Sequence, residues 1–185
     1  MQLAENAMIN CVRTMAIDWE AIAKQIGGLA FDGSELVVGT EGGMRALEIL
    51  IGEENLRNSV DHFISQKPGA FTVEMVLKII RSRIVMDRCF EIYITEPGTG
   101  RAGSAVFLLG CMADERALPW VRRFLEDSDK WVRLNGLRVL QNILYGPLDD
   151  EDLATAKELL ERTGADPDPL VQERALSMRQ HFTGD

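Results

Sequence analysis

The sequence has little cysteine, histidine, proline or aromatic side chain. Its three cysteines, Cys11, Cys89 and Cys111, are odd in number, far apart and form no Cys-x-x-Cys. That excludes a disulfide framework and a cysteine zinc site, and leaves small buried hydrophobes as their simplest role. His62 and His181 are the only histidines, and no second His or Cys stands at metal-ligand spacing. Asp61 and His62 are adjacent, so a helix cannot turn both to one face. Long apolar runs are also missing. The charge-free stretch 102–113 is well short of the ~20 residues that a membrane span needs. Residues 1–17 lack a basic region followed by an apolar core, so no signal peptide is read and a cytoplasmic location is expected.

Positive charge is scarce as well. The chain carries 20 Lys+Arg against 29 Asp+Glu, a net charge of −9. A nucleic-acid binder needs cations to neutralise phosphate, and a binder of anionic membrane needs them too, so both are disfavoured. A basic protein partner suits the charge. The acidity is uneven: residues 1–66 hold four Lys/Arg and ten Asp/Glu, residues 67–127 nine and eight, residues 128–185 seven and eleven. The two ends are acidic and the middle is nearly neutral.

What is present is apolar spacing of helical period. Met8, Val12 and Met15 share a face. Trp19, Ile22, Ala23 and Ile26 follow, with Asp18 as N-cap and Gly27-Gly28 as the stop. Further stripes are Leu56, Val60, Phe63, Ile64; Val73, Val76, Leu77, Ile80, Ile84; and Leu118, Val121, Leu125. The last three are Val132, Gly136, Val139, Leu140, Ile143; Leu153, Ala156, Leu159, Leu160; and Val171, Ala175, Met178, Phe182. Segments 35–39 and 89–95 have the composition of short strands, but neither sits in an alternating strand–helix pattern. The reading is an all-α chain of about nine or ten helices, joined by short turns as antiparallel neighbours. It forms a single domain over 1–185. Residues 1–40 are an N-terminal helical cap or separate element, and residues 41–185 are stacked helix pairs.

The C-terminal half repeats at an offset of 39. Ala117, Trp120 and Val121 correspond to Ala156, Leu159 and Leu160. Asp127-Ser128-Asp129 corresponds to Asp166-Pro167-Asp168, Val132 to Val171 and Gly136 to Ala175. Each unit is a helix, an Asp-x-Asp turn that can cap the next helix, a Val as first core contact, and a small residue that permits close helix approach. One such pair cannot bury its apolar faces alone, so pairs stack. The text resembles the HEAT repeat, an α-solenoid unit of two antiparallel helices. The second copy has Gln172 where the family's Arg would stand, with Arg174 as the expected substitute. A looser upstream copy places Arg101, Ser104 and Leu108 against Arg133, Gly136 and Leu140, with its first helix over 86–94. The resemblance covers 101–182.

No motif names a reaction. Gly98-Thr99-Gly100-Arg101-Ala102-Gly103 satisfies GxGxxG, but Glu96-Pro97 separates it from any strand and Pro119 spoils the expected second strand. The resemblance makes 96–100 a turn within a helix pair. Gly39-Thr40-Glu41-Gly42-Gly43 lacks the Gly-Lys-Ser/Thr of a phosphate loop and reads as a loop or helix start. Ser104 has no nucleophile motif around it. The acidic pairs Glu53-Glu54 and Asp149-Asp150 suit helix starts. The arginines Arg81, Arg83, Arg88, Arg101, Arg116, Arg122 and Arg123 form a central basic band, which a DNA glycosylase-like solenoid would set on one stripe. No cofactor or metal is expected.

The resemblance implies a binding surface built from each pair's second helix. Trp131, Asn135 and Arg138 could lie on it, although Trp131 packing against the preceding pair is equally open. The functional expectation is a non-enzymatic protein-interaction module, including a bacterial immunity or partner-neutralising protein. The alternative is a HEAT-like enzyme or accessory, glycosylase-like or phycobilin lyase-like. A basic partner is expected to meet the acidic ends, through Glu53, Glu54, Asp61 or the acids Asp149, Asp150, Glu151 and Asp152, rather than the centre of the array.

Overall fold

The computed structural model describes residues 17–34 and 36–183. The expected face of Met8, Val12 and Met15 lies outside the described residues, as does Cys11. The described residues hold ten α-helices and no extended strand. Residues 36–38 are irregular, and 89–95 are helical. The strand-like composition of 89–95 instead serves burial, because Cys89, Ile92 and Tyr93 are all core residues. The chain divides into two compact units, residues 1–50 and 51–185.

In the first unit, α1 (Trp19–Gln25) is capped by Asp18, whose carboxylate accepts the Ala21 N–H at 2.9 Å. Gly27, at φ +74°, takes the left-handed conformation just past its end. The glycine-rich run opens α2 (Gly39–Ile51). One of its glycines is obligatory: a Cβ on Gly42 would overlap the Val38 side chain.

The second unit is an α-solenoid of four helix pairs. They are α3 (Glu53–Ile64) with α4 (Ala70–Ile80), α5 (Arg83–Thr95) with α6 (Gly100–Met112), α7 (Leu118–Leu125) with α8 (Lys130–Leu144), and α9 (Asp150–Thr163) with α10 (Pro169–Thr183). A short 3-10 turn, Glu115–Ala117, precedes α7. The second helices pack in sequence, α4 on α6, α6 on α8 and α8 on α10. The first helices form the other layer, with α3 on α5 and α7 on α9. Phe90 stacks on Trp120 at 4.6 Å, and Tyr93 meets Phe124 edge-on at 4.9 Å, which ties α5 to α7.

The repeat explains the core. In the first copy, Asp127 accepts the Asp129 N–H and Asp129 accepts the Trp131 N–H, both at 2.8 Å. In the second, Asp166 accepts the Asp168 N–H at 2.9 Å and Asp168 the Leu170 N–H at 3.0 Å. The turns are therefore built by the same side-chain bonds. Val132, Val171 and Ala175 are buried, as the pattern requires. Gly136 lets α8 lie against α7, because a Cβ there would stand 2.8 Å from the Phe124 Cβ. Gly136→Ala is expected to lose about 1 kcal/mol. The overpacking outweighs the better helix propensity of alanine, and urea unfolding measures the difference.

Two details depart from the sequence reading. The stripe from Val73 to Ile84 is not one helix. It breaks at Arg81, a left-handed residue at φ +46°, and Ile84 belongs to α5. The break is held from outside, since the Arg81 carbonyl accepts from the Arg116 guanidinium at 2.8 Å. Nor does Arg174 replace the missing repeat arginine. Arg174 bonds Gln141 on α8, and Gln172 itself donates to the Gly164 carbonyl at 3.2 Å.

Candidate functional site

Three successive second helices leave a groove of about 590 Å³ between them. From α4 come Phe71 and Glu74, from α6 Gly100, Gly103, Ser104 and Phe107, and from α8 Trp131 and Asn135. Gln66 in the α3–α4 turn, Thr99 and Asp129 complete its rim, and Phe63 and Ala70 its floor. Their placement follows from helix register. Leu77 and Ile80 turn α4 into the core, so Phe71 is left outside it and is 72% exposed. Val132 anchors α8, so Trp131 points away and is 60% exposed. Trp131 therefore stands outside the core, beside Gly103, Ser104 and Phe107 of the preceding pair along the groove.

The groove walls are ordered from behind. Phe107 stacks on Phe63 with centroids 6.3 Å apart and planes 4° from parallel. The Arg138 guanidinium lies 4.8 Å from the Phe107 ring centre, and Lys130 lies 5.5 Å from that of Trp131. Glu74 pairs with Lys78 at 2.6 Å and accepts a long 3.6 Å contact from the Cys111 thiol. Thr99 caps α6 by accepting the Ala102 N–H at 3.2 Å. The GxGxxG string is thus the capped start of a helix that follows another helix, and its strand–turn–helix context is absent.

The expected partner residues separate into groups. Trp131 and Asn135 are in the groove, and Arg138 is behind it against Phe107 and Gly110. Glu53, Glu54 and Asp61 line a different depression of about 450 Å³, with Arg57, Asn58 and Arg88. Asp61 is held by Arg88 at 2.9 Å and by Arg101 at 3.0 Å. Glu91 receives Arg57 and Arg88, and Arg101 also reaches Glu96. The Arg57 hydrogen bond holds the Glu91 carboxyl below its usual range against a desolvation that raises it, and the Arg88 charge adds to the lowering. Asp149 accepts the Asp152 N–H at 2.8 Å as the N-cap of α9, and Asp150 sits in that helix's first turn. Neither lines the groove.

The remaining chemical candidates have structural partners. His62 hydrogen bonds the Pro68 carbonyl at 3.0 Å, and His181 packs edge-on against Tyr145. Burial pushes the Cys89 and Cys111 thiols up, the opposite of nucleophile activation. No group of three His, Cys, Asp or Glu side chains with metal-holding geometry occurs among the described residues. Arg83 pairs with Asp87, Arg116 with Asp114, Arg122 with Glu158 and Arg88 with Asp61, and all of these lie on first helices or turns. The basic band forms no stripe along the second helices. No described helix is long and apolar enough to cross a membrane.

Phe71, Phe107, Gly100 and Gly103 had no part in the expected site. Phe71 carried a signal, being a large aromatic two residues off the Val73–Leu77–Ile80 face. Comparison with curated proteins and with solved structures returned no match. The family of HEAT repeats matches residues 101–179. With the paired Asp turns, the layered helix pairs and the small residue at the helix crossing, residues 101–179 are HEAT repeats.

Proposed function

We infer that this chain is a non-enzymatic protein-binding module whose partner seats on the second-helix face at the groove. The observation that carries the reading is the pair of exposed aromatics, Phe71 and Trp131, which frame a groove across three helix pairs. Tryptophan and other aromatics dominate the energetic centres of protein interfaces, and stacked helix pairs commonly present such faces to partners. Asn135 adds an amide that both donates and accepts. The net charge of −9 favours a basic partner, as in a bacterial immunity or partner-neutralising protein. Support for a non-enzymatic role comes from the raised thiols of Cys89 and Cys111 and the structurally engaged histidines.

The acidic ends then act at a distance. Glu53, Glu54, Asp149 and Asp150 are exposed and lie outside the groove. Reversing all four to lysine is expected to slow association about tenfold at low salt and flatten its salt dependence. Dissociation should stay within about twofold, since steering acts on encounter. Surface plasmon resonance with a partner captured from the host lysate measures both rates. A faster dissociation with unchanged association would place these acids in the contact itself and defeat the reading.

A further inference from the structure

Two groove residues have no packing reason for being glycine. Gly100 and Gly103 lie within α6, where alanine would be more favourable. A Cβ built on either meets nothing within 4 Å. Gly110 and Gly136 differ, since their Cβ atoms would press on Arg138 and Phe124. The fold gains nothing from bare positions 100 and 103, but both line the groove and lower its wall. A bare helix surface lets another main chain come close.

The charge of the lining selects among occupants. It includes the carboxylates of Glu74 and Asp129 and no lysine or arginine. Glu74 is answered by Lys78, whereas Asp129 is exposed and makes no ion pair among the described residues. Lys130 and Arg138 rest on the Trp131 and Phe107 rings, so these ring faces suit cations. A phosphate-bearing ligand would meet repulsion from Asp129, whose charge has no such partner among the described residues.

We propose that the groove holds a basic polypeptide segment of a partner protein, with its main chain over Gly100 and Gly103 and an apolar side chain between Phe71 and Trp131. Gln66, Thr99, Ser104 and Asn135 supply the polar groups that a main chain requires. Asp129 is the acid that a lysine or arginine of the segment meets. The proposal rests on the second-helix reading of the function and specifies its occupant.

The test is selection of random peptides of about 12 residues, displayed on phage, against the full chain. Affinities are then measured on the selected peptides in synthetic form. The selected pool is expected to be net positive and to carry an aromatic or large aliphatic residue. Gly103→Ala should weaken binding at least about tenfold while leaving Tm unchanged or raising it by up to about 3 °C. Gly43→Ala makes the same change in α2, where a Cβ also meets nothing, and should leave affinity unchanged. A neutral or acidic pool, or Gly103→Ala binding within about twofold of the parent, overturns the proposal even when Trp131→Ala abolishes binding. An empty pool, or peptides indifferent to Trp131→Ala, overturns the second-helix reading as well.

Discussion

Arg133→Ala is expected to destabilise the protein by about 3 kcal/mol and to lower Tm by roughly 8 °C. Arg133 donates to Asp166 from Nε at 2.8 Å and from Nη2 at 3.1 Å. Its Nη1 donates to the carbonyls of Asp127 at 2.9 Å and Ser128 at 3.1 Å. The side chains are only 11% and 6% exposed, so solvent screens little of this. Removing the guanidinium leaves a buried carboxylate without its counter-ion and two turn carbonyls without a donor. The bond also joins the Asp turn of one repeat to that of the next, so its loss falls on the interface between repeats. Urea unfolding should show a lower midpoint with an unchanged slope. The double variant Arg133→Met with Asp166→Asn should recover at least about 1 kcal/mol, because the stranded charge is gone. The side-chain amide oxygen that Asp166→Asn retains can still accept the Asp168 N–H, so the turn itself survives. A single variant within about 0.5 kcal/mol of the parent would show that the two turns are not coupled through this pair.

Trp131→Ala should raise the Kd for a groove ligand at least about 30-fold, which corresponds to about 2 kcal/mol. The loss should appear in dissociation rather than association, since the ring acts only after contact. Stability should change by no more than about 0.5 kcal/mol, because the ring is 60% exposed and carries the Lys130 ammonium over its face. The Trp131 N–H bond to Asp129 is a main-chain bond and survives the substitution. Asn135→Ala should cost less, about fivefold, as the loss of one or two neutral hydrogen bonds. Titration calorimetry with the selected peptides reads both variants, and thermal unfolding shows whether the fold is intact. A large drop in Tm would make Trp131 a packing residue instead.

The repeat was legible because its physics is local. The Asp-x-Asp turn, the buried Val and the small residue four positions later stand at fixed spacing, and each does in the structure what the spacing implies. The break at Arg81 was not legible. Arg81 is neither glycine nor proline, and its left-handed conformation goes with a carbonyl hydrogen bond from Arg116, 35 residues away. The role of Gln172 escaped for a similar reason, since its partner is the Gly164 carbonyl in the preceding turn. The arginine band looked like a possible surface because charge pairing across helices has no sequence period. Arg88 and Arg101 meet at Asp61 only through the stacking of α3, α5 and α6. Trp131 and Asn135 could be found from the repeat alone, four residues apart on a second helix. Phe71 lies before the part of the chain where the repeat text is clear, and only its misfit with the α4 core face marked it. Gly103 was hidden inside a string that imitates a nucleotide-binding turn.

Hydrogen–deuterium exchange of the full chain, with and without a saturating selected peptide, tests the central claim most directly. Binding at the second-helix groove predicts added protection at the amides that open α6 and α8, residues 99–104 and 130–135, and in the first turns of α4. It also predicts no added protection over 149–163. Protection concentrated at 53–61 or 149–163, with the starts of α6 and α8 unchanged, would contradict it and return the binding surface to the acidic first helices.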